Sequence, residues 1–208
     1  TSHDPDFDDK AADVCGLYLN PEDHWAVISI DEKTGIQAKS RTNPTRPAQP
    51  GDGDTSGRAA QQEFEYGRHG TPALFASFDC GTGEVHGQPT DSTKSVNFVG
   101  FLADLEAHVP AQMEMHCIVE DLSAHGTPGV EEFLDGHPRV FLHRRATHAS
   151  WLNQIECWFS ILTRQFLHTA EFADTVDVSS AILDFIDDYN GRAKPFNWSY
   201  DADAKAAA

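Results

Sequence analysis

Three acidic positions, far apart along the chain, sit where carboxylates can work on phosphate: Asp31, the pair Glu120-Asp121, and Glu156. Asp31 ends the run His24-Trp25-Ala26-Val27-Ile28-Ser29-Ile30, which is β-branched, aromatic and of strand length. Glu120-Asp121 ends a similar run, Met113 to Val119. Charged residues at strand carboxyl ends lie where open α/β sheets commonly place their ligands. Glu156 stands beside the apolar stripe of an amphipathic helix, in which Trp151, Leu152, Ile155, Trp158, Phe159, Leu162 and Phe166 recur at spacings of three and four. Three carboxylates brought together repel one another unless divalent cations neutralise them, and that is the logic of two-metal phosphoryl transfer.

Strand geometry separates the members of the acidic pair. Side chains alternate across a strand, so Glu120 shares a face with Ile118 and His116, and Asp121 with Val119 and Cys117. Asp121 turns toward Asp31 only if the strand end curls or bulges. Asn153 and Gln154, next to Glu156, are candidate supporting donors. Other chemistries find little support. None of the 11 histidines forms an HExxH pair, Ser123 and Ser150 have no evident base, and Gly81-Thr82-Gly83 lacks the rest of a phosphate loop, so no nucleotide cofactor is indicated. Cys15, Cys80, Cys117 and Cys157 show no CxxC spacing; buried, reduced thiols are expected, rather than zinc or a disulfide framework.

The elements that must position these acids read as an α/β alternation. Pro72 to Asp79 and Glu84 to Gln88 read as strands around the Gly81-Thr82-Gly83 turn, forming an antiparallel meander with the first strand. Ser95 to His108 carries Phe98, Phe101, Leu102 and Leu105 at helical spacing and is stopped by Pro110. A short helix near Pro128 to Leu134, a strand from Val140 to Leu142, the Glu156 helix and a last helix from Val178 to Tyr189 follow. Pro195, Phe196 and Trp198 are expected to fold the tail back. Residues 40–70, rich in Pro, Gly, Asp and Arg, read as a long loop. With neither a membrane-spanning apolar run nor a signal pattern, a cytoplasmic location is expected.

The runs VCGLYLNPEDHWAVISIDEKTGIQA, YGRHGTPALFASFD, IVEDLSAH and THASWLNQIECWFSILTRQ resemble the catalytic domain of insertion-sequence transposases of the mariner superfamily, which carry a DDE triad. The resemblance runs from about Asp13 to Trp198. It implies a ribonuclease H-like fold with a mixed five-stranded sheet and helices on both faces, over residues 13–198, with an acidic extension at 1–12 and a frayed tail at 199–208. It makes Asp31 the first acid of the triad and Glu156 the third. Counting back from His125, the family Asp-Asn falls on Glu120-Asp121, so the second acid is one methylene longer than usual. The resemblance further implies two Mg²⁺, with Mn²⁺ as an alternative, cleavage at transposon ends, transfer into target DNA, and a homodimer on DNA. The rival expectation is a degenerate or repurposed remnant that binds protein or DNA without catalysis; a nuclease of the same fold is a third.

The formal net charge of −18, from 33 acidic and 15 basic residues, opposes binding of a polyanion, whose affinity normally comes from lysine and arginine displacing counterions. Either the surface is adapted to high salt, where repulsion is short-ranged, or the helix-turn-helix recognition units that precede this domain in the family are not in this segment. The expected DNA contacts are Lys33, Arg41, His125, Arg144, Arg145 and Asn153.

Overall fold

The β-branched run after His24 becomes the central strand of the molecule, β1 (Trp25–Lys33), buried along most of its length. The computed structural model describes residues 4–43, 46–51, 56–59, 65–120, 126–147 and 149–200. Strand β1 lies between β4 (Ala73–Asp79), antiparallel to it, and β6 (Glu114–Val119), parallel to it. β5 (Val85–Thr90) extends the antiparallel side and β7 (Val140–Arg144) the parallel side, giving the order β5-β4-β1-β6-β7. The parallel pairs need crossover connections, which helices supply. The β4–β5 turn depends on Gly83 at φ 81°; a Cβ there would also lie 2.1 Å from the Lys194 carbonyl carbon.

Alternation along β1 sorts the core. Ala26, Ile28 and Ile30 face helices α2 (Ser95–His108) and α3 (Pro128–Gly136), packing with Phe98, Phe101, Leu102, Val130 and Phe133. Val27 faces the opposite layer, where α1 (Phe7–Leu19) packs through Ala11, Val14 and Cys15. On that same side α4 (Ile155–Leu162) and α5 (Thr175–Asn190) bury Ile155, Trp158, Phe159, Leu162, Val178, Ile182 and Ile186 against Leu74, Ala76 and Phe78 of β4. Helix α3 starts with Pro128 at its first turn, and Asp174 caps α5 through the Asp177 N–H at 2.8 Å.

Several expectations shift. Helix α1 straddles the boundary placed at residue 13, and Asp4 accepts from the Thr147 N–H at 2.9 Å, fastening the acidic segment to the body. Inside the expected loop at 40–70, β2 (Lys39–Arg41) and β3 (Tyr66–Arg68) pair as a small antiparallel ladder. Trp151, expected on a buried helical face, is 48% exposed, because residues 150–152 form a separate 3₁₀ turn and Asn153 is extended before α4 begins. The tail returns as expected, with Phe196 stacked on Phe78 at 4.5 Å and Trp198 against Tyr18 at 4.7 Å. Of the segment 199–208, only Ser199 and Tyr200 are described. Among the described residues no helix is long and apolar enough to cross a membrane.

Candidate active site

Asp31 does not follow β1 but lies within it, 6% exposed, on the face that looks toward α4. A buried polar group needs partners, and three side chains supply a scaffold. Asn153 Nδ2 donates to Asp31 Oδ2 at 3.2 Å and to the Ile30 carbonyl at 3.0 Å. The Asn153 side-chain Oδ1 in turn accepts from Ser29 Oγ, which itself accepts from the Ile155 N–H at 3.1 Å. Thus Ser29 and Asn153 pin the start of α4 to the strand that carries Asp31. Ser29 escaped sequence reasoning, although a lone hydroxyl within Val27-Ile28-Ser29-Ile30 is the kind of buried polar residue that signals a network.

Glu120 follows β6 directly and is half-buried. In the parallel ladder Ser29 aligns with Ile118, so the same register carried two residues further sets Glu120 beside Asp31, on the same face. Glu156 projects from the first turn of α4 into solvent, where a carboxylate is favoured by the helix dipole. The three charges act on one another. Burial pushes the Asp31 carboxyl up to about 7; the Glu32 N–H, donating at 2.8 Å, opposes the rise, while the charges of Glu32, Glu120 and Glu156 add to it. Asp121 and His125 lie outside the described residues.

The expected basic residues divide. Arg145 is 3% exposed and pairs with Glu120. Asn153, 1% exposed, donates to Asp31 as a supporting side chain. Arg41 pairs with Glu171 at 3.0 Å and lies over the Tyr66 ring, while Arg144 is exposed beside Gly126. Lys33, over the Phe159 ring at 5.5 Å, lines a groove of about 660 Å³ with Glu156, Ser160 and Arg164. This groove gives an extended substrate a cationic edge next to an acidic centre.

A family model described as DDE superfamily endonuclease matches residues 26–179, a span that includes Asp31, Glu120 and Glu156. The chain belongs to the DDE superfamily endonucleases. No curated protein matches this chain in sequence. Its fold is similar to that of the Mos1 mariner transposase catalytic domain, with a TM-score of 0.57, 10% identity, and 93% of this chain and 85% of that one covered. The Mos1 strand transfer complex gives a TM-score of 0.59 at 11% identity, covering 90% of this chain and 53% of that one. The Mos1 paired-end complex with Mn gives 0.57 at 13% identity, covering 92% and 56%. The chain thus spans about half the length of the transposase in those complexes, and the ribonuclease H-like fold is shared throughout.

Proposed function

We propose that this chain is a transposase catalytic domain that cuts DNA at transposon ends and joins the freed 3′ end to a target, with Asp31, Glu120 and Glu156 as the catalytic carboxylates. Asp121, adjacent to Glu120, is the alternative second acid. One observation carries the reading: Asp31 is buried within the fields of Glu120 and Glu156, and its carboxyl rises to about 7. Such a cluster is costly without a counter-charge, and its all-oxygen donor set suits Mg²⁺ or Mn²⁺. The similar Mos1 complexes are described with Mg and with Mn. We assign two such ions to these carboxylates; when bound, they would activate an attacking hydroxyl and neutralise charge on the leaving oxygen.

The chain's own residues prepare that chemistry. Asn153 fixes the orientation of Asp31, and Arg145 holds Glu120. Lys33 and Arg164, on the groove beside Glu156, are placed to receive phosphates of the DNA backbone. The similar Mos1 structures are paired-end and strand transfer complexes, which supports DNA as the partner; a homodimer on paired ends belongs to the same proposal. The acidic surface makes binding depend on salt that screens repulsion or on basic segments elsewhere in the protein.

The test is to incubate the folded protein at high salt with Mn²⁺ and a plasmid carrying the element's ends. Joined products support transposition. Cuts without joining overturn strand transfer and leave a nuclease. Uncut DNA, together with calorimetry showing no Mn²⁺ uptake that Asp31→Ala abolishes, overturns catalysis and leaves a binding remnant.

A further inference from the structure

We propose that His86, Asp104 and His108 form a second metal site, for a transition-metal dication of the zinc class, on the sheet face opposite Asp31. Asp104 and His108 are one turn apart on α2, so both side chains emerge from the same helical stripe. His86 projects from β5 toward them: its Nε2 lies 2.7 Å from Asp104 Oδ2, and its ring centroid is 4.6 Å from that of His108. One donor atom from each of the three lies within 4.8 Å of the others.

This differs from an ordinary His–Asp hydrogen bond in the disposition of His108. Its Nδ1 meets the Asp104 backbone carbonyl at 2.7 Å. That acceptor takes the Nδ1–H and leaves the Nε2 lone pair free, the outer-shell arrangement typical of metal-bound histidine. Two imidazole nitrogens and a carboxylate oxygen form a zinc-type donor set, distinct from the all-carboxylate set around Asp31. Zinc bonds of about 2.0–2.1 Å place tetrahedral donors roughly 3.4 Å apart. The present donor atoms, within 4.8 Å of one another, would draw together on binding. His86 and His108 also border a cavity of about 640 Å³ lined by Trp25, Leu105 and Val109, which has room for a fourth ligand. Because β5 is an edge strand of the sheet, the metal would clamp it to α2. Cysteine spacing gives no hint of the site, since no cysteine takes part, and i, i+4 with a histidine from another element is not a linear motif.

The full chain is titrated with Zn²⁺ against a chromogenic chelator, and Co²⁺ is used as a spectroscopic probe. The expected result is one Zn²⁺ per chain that persists in Asp31→Asn, intense four-coordinate Co²⁺ bands, and binding weakened about 10–100-fold in His86→Gln and in His108→Gln. His108 is exposed in the last turn of its helix, so His108→Gln retains the fold, checked by circular dichroism. Zn²⁺ uptake unchanged in His108→Gln, or lost in Asp31→Asn, overturns the proposal, as does a weak six-coordinate Co²⁺ spectrum.

Discussion

The side-chain amide of Asn153 donates to the Asp31 carboxylate across 3.2 Å, joining residues 122 positions apart in the chain. With the Ser29 and Ile30 contacts, this residue joins the strand, the acid and the start of α4 in one buried network. Asn153→Ala leaves several of these groups unpaired and is expected to cost about 2–4 kcal/mol in urea unfolding. DNA cleavage should fall about 10–100-fold under conditions where the variant is folded, as for loss of an orienting outer-shell partner.

Asp31 makes metal-free stability depend on pH with a definite sign. Its carboxyl is raised from 3.8 to about 7 in the folded chain, so between those values the folded state holds a proton that the unfolded chain has released. Stability is therefore full at low pH and is lost as pH rises through that window, by up to about 4 kcal/mol. Asp31→Asn should abolish this slope, matching wild type near pH 4 and exceeding it at pH 8 in the presence of chelator. Mn²⁺ added to wild type at pH 8 should restore the loss, because a ligand bound only by the folded state stabilises it. Thermal unfolding across pH, with and without Mn²⁺, measures both.

Glu156 is exposed in the first turn of α4. Glu156→Gln should leave stability within about 1 kcal/mol, the dipole contribution included. Cleavage should nevertheless drop by about a hundredfold or more, as expected when a reacting group is misplaced by only 1 Å. Parallel urea melts and plasmid-nicking rates separate the two effects.

Arg145 and Glu120 differ in how deeply they are placed, with side chains 3% and 36% exposed. Removing one partner of a pair is costly when the charge left behind is buried, so Glu120→Ala, which strands the Arg145 guanidinium, should destabilise by about 3–5 kcal/mol. Arg145→Ala leaves Glu120 at the solvated end, where the lost ion pair itself should cost about 1 kcal/mol or less. A double-mutant cycle in urea checks the asymmetry.

Much of this architecture was legible from local pattern. Phe98, Phe101, Leu102 and Leu105 with Pro110 mark α2, which runs from Ser95 to His108 as expected. The β-branched runs mark β1 and β6, although β1 continues through Asp31 to Lys33. Helix α1 was not legible, because its acidic sequence buries only Ala11, Val14, Cys15 and Leu17, and its place depends on the Tyr18 hydroxyl donating to the Leu152 carbonyl at 2.8 Å. The strands β2 and β3 are too short to leave a periodic signal. At the site, the acids were visible as charges after apolar runs. The roles of Ser29 and Arg145 were not, because each is set by a partner from a distant part of the chain; Asn153 was legible as a supporting donor but not as the partner of Asp31.

The Ser29–Asn153–Ile155 bonds also tie the proposed acids to a segment far along the chain. A fragment ending before Asn153 carries Asp31 and Glu120 with neither the amide that aims the first nor the helix that bears Glu156. On the proposed assignment such a fragment is expected to be silent toward DNA.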